Sequence, residues 1–300
     1  MNRAYQTLRM VLLLISIVLY LPWIVSTDAA LKHLVEWIHK CCGWIFVNHE
    51  IPTLYYPFSL FILLISGLIG YQATRIFRNT RKYIQLLMQY EVEMVDTIIQ
   101  RFTKKYRIKV LLVDQAEPIV FTFGFRKPQI LISTGMLQTV AEEELIAILE
   151  HERWHCKQGD PWKGFITSTF ANSLFFFPII GKLRDLYFLE KEILADQFAI
   201  QKSSKKVLVS ALIKLASSSS HQTARAITPF VDGSLQDYRI DAIVSSDGKM
   251  PRMNGREWLL SGSALLVLLI IVFFLFQSLV PQHFMWIQWL PEHIRTICGW

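Results

Sequence analysis

At 300 residues, with 52% of them hydrophobic and a positive mean hydropathy, the chain is too apolar for an ordinary soluble enzyme. The composition implies a membrane protein with a water-facing domain of modest size. A net charge of +7 would suit a nucleic-acid groove, but the basic residues cluster beside apolar runs, which fits membrane topology and argues against direct nucleic-acid binding.

Met10 to Thr27 carries no charge and follows Arg3 and Arg9. It is long enough to cross about 30 Å of hydrocarbon, and bulky Tyr20, Pro22 and Trp23 argue for an uncleaved span over a signal peptide. Residues 28–56 form a short loop whose piece Leu31, Leu34, Val35, Ile38 suits an interfacial helix, with His33, His39 and His49 as surface residues. Ile51 to Thr74 is the second charge-free run, and Arg75, Arg78, Arg81 and Lys82 follow it at once. By the positive-inside rule that side is cytoplasmic, so the N-terminus is inside and loop 28–56 outside.

A helical pattern runs from Tyr83 to Tyr106. Ile108–Val113, Phe121–Phe125 and Gln129–Ser133 then read as strands of a small antiparallel sheet, with a turn at Arg126-Lys127-Pro128. Ser133 or Thr134 can open the next helix, and Thr139 with Glu142 to Glu144 places acids at the first turn of the one after it. Gly164 to Ile180 is apolar and aromatic, and Glu190 to Ala199 is again helical. A polar segment, the Ser217–Ser220 run and a loop with Gly233 and Gly248 precede the last charge-free run, Trp258 to Gln282. The aromatic tail from His283 to Trp300 is expected outside, at the interface, with no sizeable extracellular domain after it. Four cysteines (Cys41, Cys42, Cys156, Cys298) form no C-x-x-C pair, which excludes a cysteine-built metal site of that kind.

The chemistry is concentrated in His151-Glu152-Arg-Trp-His155, inside a segment with helical apolar spacing at Leu145, Ile148, Leu149 and Trp154. On a helix, residues four apart lie one above the other. His151 and His155 can therefore offer two imidazole nitrogens to one Zn²⁺, while Glu152 is placed to take a proton from the attacking water. An amphipathic helix carrying two histidines by chance is the bland alternative, and a third ligand must come from elsewhere, with Glu192 the best candidate and Glu190 its local competitor.

His151-Glu-x-x-His155, Asp160 and the later Glu192-x-x-Ala195-Asp196 resemble the gluzincin membrane peptidases, closest to the BlaR/MecR-type signal-transducing metallopeptidases. The resemblance covers roughly residues 75–280 and includes Pro128-Gln-Ile-Leu-Ile-Ser133 and the Phe-rich link containing Pro178. It implies His151, His155 and Glu192 as zinc ligands, Glu152 as general base, and Asp196 as an acceptor behind a ligand imidazole. Asp160 would orient in a similar way. Related peptidases place a His or Arg against the developing oxyanion, and Arg239, in Asp237-Tyr-Arg-Ile, is the expected donor. Strand Gln129–Ser133 is expected to pair with an extended substrate.

The ligand set bears on topology. If Gly164–Ile180 crossed the bilayer once, Glu192 would lie about 30 Å from the histidines. The stretch must therefore return to its starting side, bending near Pro178 and Gly181.

The expected fold is an α-helical integral membrane protein with a zincin-like α+β metallopeptidase domain. It has three full transmembrane helices and a membrane-associated segment, 164–181, that does not span. Residues 1–77 would be a transmembrane hairpin (spans about 8–27 and 52–74), 78–257 the cytoplasmic-side peptidase domain, 258–282 the last span and 283–300 an external tail. The expected function is a zinc endopeptidase of the cell membrane in regulated proteolysis or signal transduction. It would act on a protein substrate such as a transcriptional repressor or membrane protein, with a second copy or a sensor chain as partner. A penicillin-binding sensor domain, which such transducers carry after the last span, is not expected. Two rivals are a quality-control or CAAX-type membrane protease, separated by the number of membrane crossings, and a non-catalytic scaffold, separated by metal content and the effect of Glu152→Ala.

Overall fold

The computed structural model describes residues 3–17, 20, 55–93, 96–218, 239, 243 and 255–279. The expectations for loop 28–54, the aromatic tail, Cys41, Cys42, Cys298, Ser219, Ser220 and the loop glycines 233 and 248 lie outside these residues. In chain order come α1 (3–17), α2 (Tyr55–Met88), β1 (Glu91–Val92), α3 (Thr97–Tyr106), β2 (Val110–Val113), β3 (Val120–Phe123), β4 (Gln129–Ser133), α4 (Thr134–Thr139), α5 (Glu142–Gln158), α6 (Asp160–Ser173), α7 (Pro178–Lys202), α8 (Lys205–Ser218) and α9 (Gly255–Leu279). The structure is mostly helical and divides into two compact units, one of residues 1–8 with 69–254 and one of 9–68 with 255–300.

In the first unit four strands in the order β1-β2-β4-β3 form a mixed sheet. β2 and β4 are parallel (Val110↔Ile130 to Val113↔Ser133), whereas β3 runs antiparallel to β4 (Val120↔Ile132 to Phe123↔Gln129). This corrects the expected antiparallel sheet, because local alternation says nothing about which strands become neighbours. The helical pattern over 83–106 is also interrupted: α2 ends at Met88, β1 pairs with β2, and the Asp96 carboxylate accepts from Ile98 N and Ile99 N to start α3 anew. The β3–β4 turn requires Gly124, whose φ is +95° and where a Cβ would meet Lys127 O at 2.7 Å.

The strand period of two sorts the sheet residues onto two faces. Val110, Leu112, Ile130 and Ile132 pack with Ile99, Phe102, Met136, Leu145, Ile148 and Leu149 in the main core. Val113 and Leu131 face the other way and pack with Leu87 of α2 and Ile119. Helix α5 thus lies on the sheet, held by its own apolar stripe. Its first residue is Glu142, after Ala141, and Glu144 reaches back to accept from Ala141 N at 2.8 Å. Thr139, expected to open this helix, instead closes α4 and donates its hydroxyl to Gly135 O (2.7 Å), while Ser133 caps α4 by accepting from Met136 N (3.1 Å).

Helices α6 and α7 leave the α5 end and come back to it. From Asp160 to Ser173, and again from Pro178 to Glu192, each limb is about 20 Å of helix at 1.5 Å per residue. Residues 174–177 form the elbow, and Pro178 opens α7 in its first turn, where a missing N–H costs nothing.

The second unit, by itself, is apolar and outward-facing: Leu13, Leu14, Leu63, Leu64, Leu259 and Leu266 are all exposed. Within it, Tyr20 and Ser66 share a hydrogen bond of 2.8 Å. Among the described residues one helix, over Leu60–Met88, is long and apolar enough to cross a membrane, and Trp258–Ile270 is a shorter apolar stretch.

Candidate metal centre

Helix α5 turns His151 and His155 to one side, and their Nε2 atoms face each other at 3.1 Å. Helix α7 brings in Glu192, with Oε2 3.3 Å from His151 Nε2 and Oε1 3.6 Å from His155 Nε2. One donor atom from each of the three lies within 4.8 Å of the others. Glu190, two residues earlier, is engaged elsewhere, accepting from Arg3 N and Ala4 N at 2.8 Å each.

The outward nitrogen of each imidazole meets a carboxylate. Gly159, at φ +66°, ends α5 in the left-handed region and starts α6 immediately. That places Asp160 Oδ2 at 2.7 Å from His155 Nδ1. Its other oxygen, Oδ1, accepts from the buried Tyr187 hydroxyl at 3.4 Å, with Lys163 Nζ at 3.9 Å. His151 Nδ1 is 2.9 Å from Asp196 Oδ1, a charge contact without the alignment of a hydrogen bond. Asp196 is gripped from behind by Arg239, which donates from Nε to Oδ2 (2.9 Å) and from Nη2 to Oδ1 (2.8 Å). The remaining Arg239 nitrogen, Nη1, is 3.5 Å from Glu192 Oε2.

Burial and charge pull in opposite directions here. Burial alone would depress the histidines, but Asp196 and Glu192 raise His151, while Glu192 and Asp160 raise His155 to about 9. Burial would raise Glu192, yet His155 and Lys191 hold its carboxyl well below the usual range. Asp196 is likewise lowered, with Arg239 outweighing burial. The Cys156 thiol, one residue from His155, goes the other way: burial pushes it up to about 12, so it stays protonated and offers no thiolate.

Glu152 is buried between the two histidines in sequence. Its Oε2 accepts from the Thr122 hydroxyl at 2.7 Å, and its main-chain oxygen lies 3.1 Å from the same hydroxyl. Thr122 belongs to β3, an edge of the sheet, so this contact ties the edge strand to α5. Gln129–Ser133, expected to receive the substrate, is interior, with both sides paired to β2 and β3. That expectation is therefore corrected: the edge strands are β1 and β3, and β3 is the one that touches α5 through Thr122.

His151, Glu152, His155, Asp160, Glu192, Asp196 and Arg239 fall together here, whereas Glu190, the competing candidate, does not. Thr122 and Tyr187 were missed. A threonine between Phe121 and Phe123 was the one available hint for Thr122, and nothing in the local pattern marks Tyr187.

Two histidines one helical turn apart, a carboxylate from a second helix and a glutamate beside them define a candidate metallopeptidase centre. The model of the BlaR1 peptidase M56 family matches residues 50–242, and the chain belongs to that family.

Proposed function

We propose that the chain is an integral-membrane zinc endopeptidase that hydrolyses a protein substrate on the cytoplasmic side, in regulated proteolysis. The observation that carries this is the mutual approach of the two Nε2 atoms and the Glu192 carboxylate. Ligands about 2.0–2.1 Å from one tetrahedral ion stand about 3.3 Å apart, close to the 3.1 Å between the imidazoles. Two imidazoles and one carboxylate also form a donor set that zinc takes with one position left open. Their outer nitrogens face Asp196 and Asp160, the arrangement that fixes ring orientation in metal-binding histidines.

When bound at His151, His155 and Glu192, the ion would supply Lewis acidity toward a water and the scissile carbonyl. Glu152 takes the proton from the attacking water and returns it to the leaving amine. Thr122 fixes Glu152 by binding Oε2, leaving Oε1 for proton transfer. Arg239 holds the buried Asp196 carboxylate ionised through two hydrogen bonds and also stands 3.5 Å from Glu192 Oε2. An oxyanion contact from Arg239 would require it to release one of them. An extended substrate adds to the edge of β3, which carries it over α5 toward the histidines.

The membrane reading is supported by the exposed apolar surface of the second unit and by the charge-free runs that lead into basic residues. Three crossings, near 8–27, 52–74 and 258–282, with the N-terminus inside and the C-terminus outside, follow from those runs. Segment 164–181 would touch the membrane without crossing, since α6 and α7 begin and end at the same place. The substrate class, a repressor or a membrane protein, comes from the family resemblance alone.

The test is metal analysis and proteolysis by the purified full chain. One zinc per chain is expected, with Glu152→Gln keeping the zinc and losing at least about a hundredfold in turnover. A Glu152→Gln chain that still cleaves, or a wild type that binds no zinc, would sink the proposal.

A further inference from the structure

Away from the histidines, at the far end of the α6–α7 excursion, lies a cavity of about 520 Å³. Gln72 and Arg75 of α2, Asn172 of α6, the elbow residues Phe175 and Phe177, and Arg184 of α7 contribute to its lining. Its size is within the range of sites that hold small molecules. Among the described residues its lining holds two arginines, two side-chain amides and no carboxylate. Such a lining matches a phosphate ester with apolar substituents.

The surroundings say where that phosphate comes from. Arg75 is the first charged residue after the charge-free run Ile51–Thr74. At the elbow the Phe175 side chain is 71% exposed, stacked edge-on against Phe176 at 5.7 Å. A large bare aromatic ring beside a basic cavity, at the point where an apolar helix turns basic, is the pattern of an interfacial contact: ring among the acyl chains, guanidinium groups at the phosphates.

We propose that this cavity binds the headgroup of one anionic phospholipid, and that the α6–α7 elbow is thereby pinned to the bilayer about 20 Å from the histidines. This rests on the membrane reading above. Arg184 also binds exposed Asp185, from Nε (2.9 Å) and Nη2 (2.8 Å) to one oxygen, so the phosphate shares that guanidinium with a competing carboxylate. Gly181, at the cavity wall, has open space where a Cβ would stand, so a larger side chain there would fill the cavity while leaving both guanidinium groups in the chain.

The experiment uses the full chain in detergent with short-chain phosphatidylglycerol, phosphatidylcholine or inorganic phosphate as probes, read by native mass spectrometry. Flotation of the reconstituted chain with phosphatidylcholine vesicles is run in parallel. One phosphatidylglycerol should bind saturably and at least tenfold more tightly than phosphatidylcholine. Losing an arginine should weaken it about fivefold, and Arg75→Gln with Arg184→Gln about thirtyfold. Gly181→Leu should block binding, and Asp185→Asn should tighten it, a gain that misfolding cannot imitate. Equal binding of the two lipids, or wild-type binding by both the double variant and Gly181→Leu, overturns the proposal. Inorganic phosphate binding as tightly as the lipid overturns the lipid source in favour of a soluble phosphate. A chain that fails to float refutes the membrane reading itself. One that floats without lipid preference refutes the headgroup site alone.

Discussion

The two imidazoles at the centre of the site are supported in different ways. Behind His151 stands a fully charged pair, buried Asp196 and partly buried Arg239, joined by two short hydrogen bonds. Behind His155 stands Asp160, whose other contacts are a neutral phenol at 3.4 Å and a lysine at 3.9 Å. The first arrangement is electrostatically rigid and intolerant of losing either partner, because each would leave the other buried and uncompensated. The second is local, made by residues on either side of the Gly159 turn, and tolerates adjustment. The site is thus fixed from the α7 side and trimmed from the α6 side.

The most damaging way to break this asymmetry is Asp196→Asn. It leaves Arg239 facing an amide and should cost on the order of 3 kcal/mol of stability. Zinc affinity should also fall, by about a hundredfold. Chelator competition and thermal unfolding measure both. Arg239→Lys separates clamp from oxyanion donor: a clamp loses zinc affinity, whereas an oxyanion donor loses kcat with zinc occupancy intact.

This asymmetry also explains what could be read from the chain beforehand. His151, Glu152 and His155 are set by helix periodicity, so spacing alone places them together, and Asp160 was reached by resemblance although only the Gly159 turn separates it from them. Glu192 and Asp196 were reached by resemblance, since no periodicity links α7 to α5. The Arg239–Asp196 and Thr122–Glu152 contacts span 43 and 30 residues and exist only once the sheet and helices are packed. Strand order was hidden for the same reason: β4 reads as a strand, but its interior place depends on β2 reaching across to it in parallel. The out-and-back course of α6 and α7 was legible because two ends that share a ligand set must meet.

A smaller and graded effect concerns pH on the His155 side. In the metal-free protein His155 titrates at about 9, above its ordinary 6.5, so its protonation stabilises that state. The contribution is complete below about 6.5 and is lost as pH rises through about 9. Zinc must displace this proton, so apparent affinity should fall about tenfold per pH unit below about 9 while a single proton is exchanged. Asp160→Asn removes one cause of the raised value and should move the break in that profile to lower pH, with an affinity loss of about tenfold above the break, where no proton is displaced. An unchanged break would show that Asp160 contributes nothing to His155.

The smallest effect expected is that of Tyr187→Phe. The phenol is fully buried, and burial together with the Asp160 charge raises its pKa, so it remains a proton donor throughout the accessible range. Its hydrogen bond to Asp160 is long at 3.4 Å, and removing the hydroxyl leaves Asp160 with His155 and Lys163. The ring keeps its packing against Tyr5, at 5.3 Å between centroids, because phenylalanine has the same shape. Stability should therefore drop by about 1 kcal/mol and zinc affinity by no more than about threefold. The comparison depends on this modesty. Should Tyr187→Phe release zinc as readily as Asp196→Asn does, the two carboxylates would be equally held and the rigid and adjustable sides of the site would be one and the same.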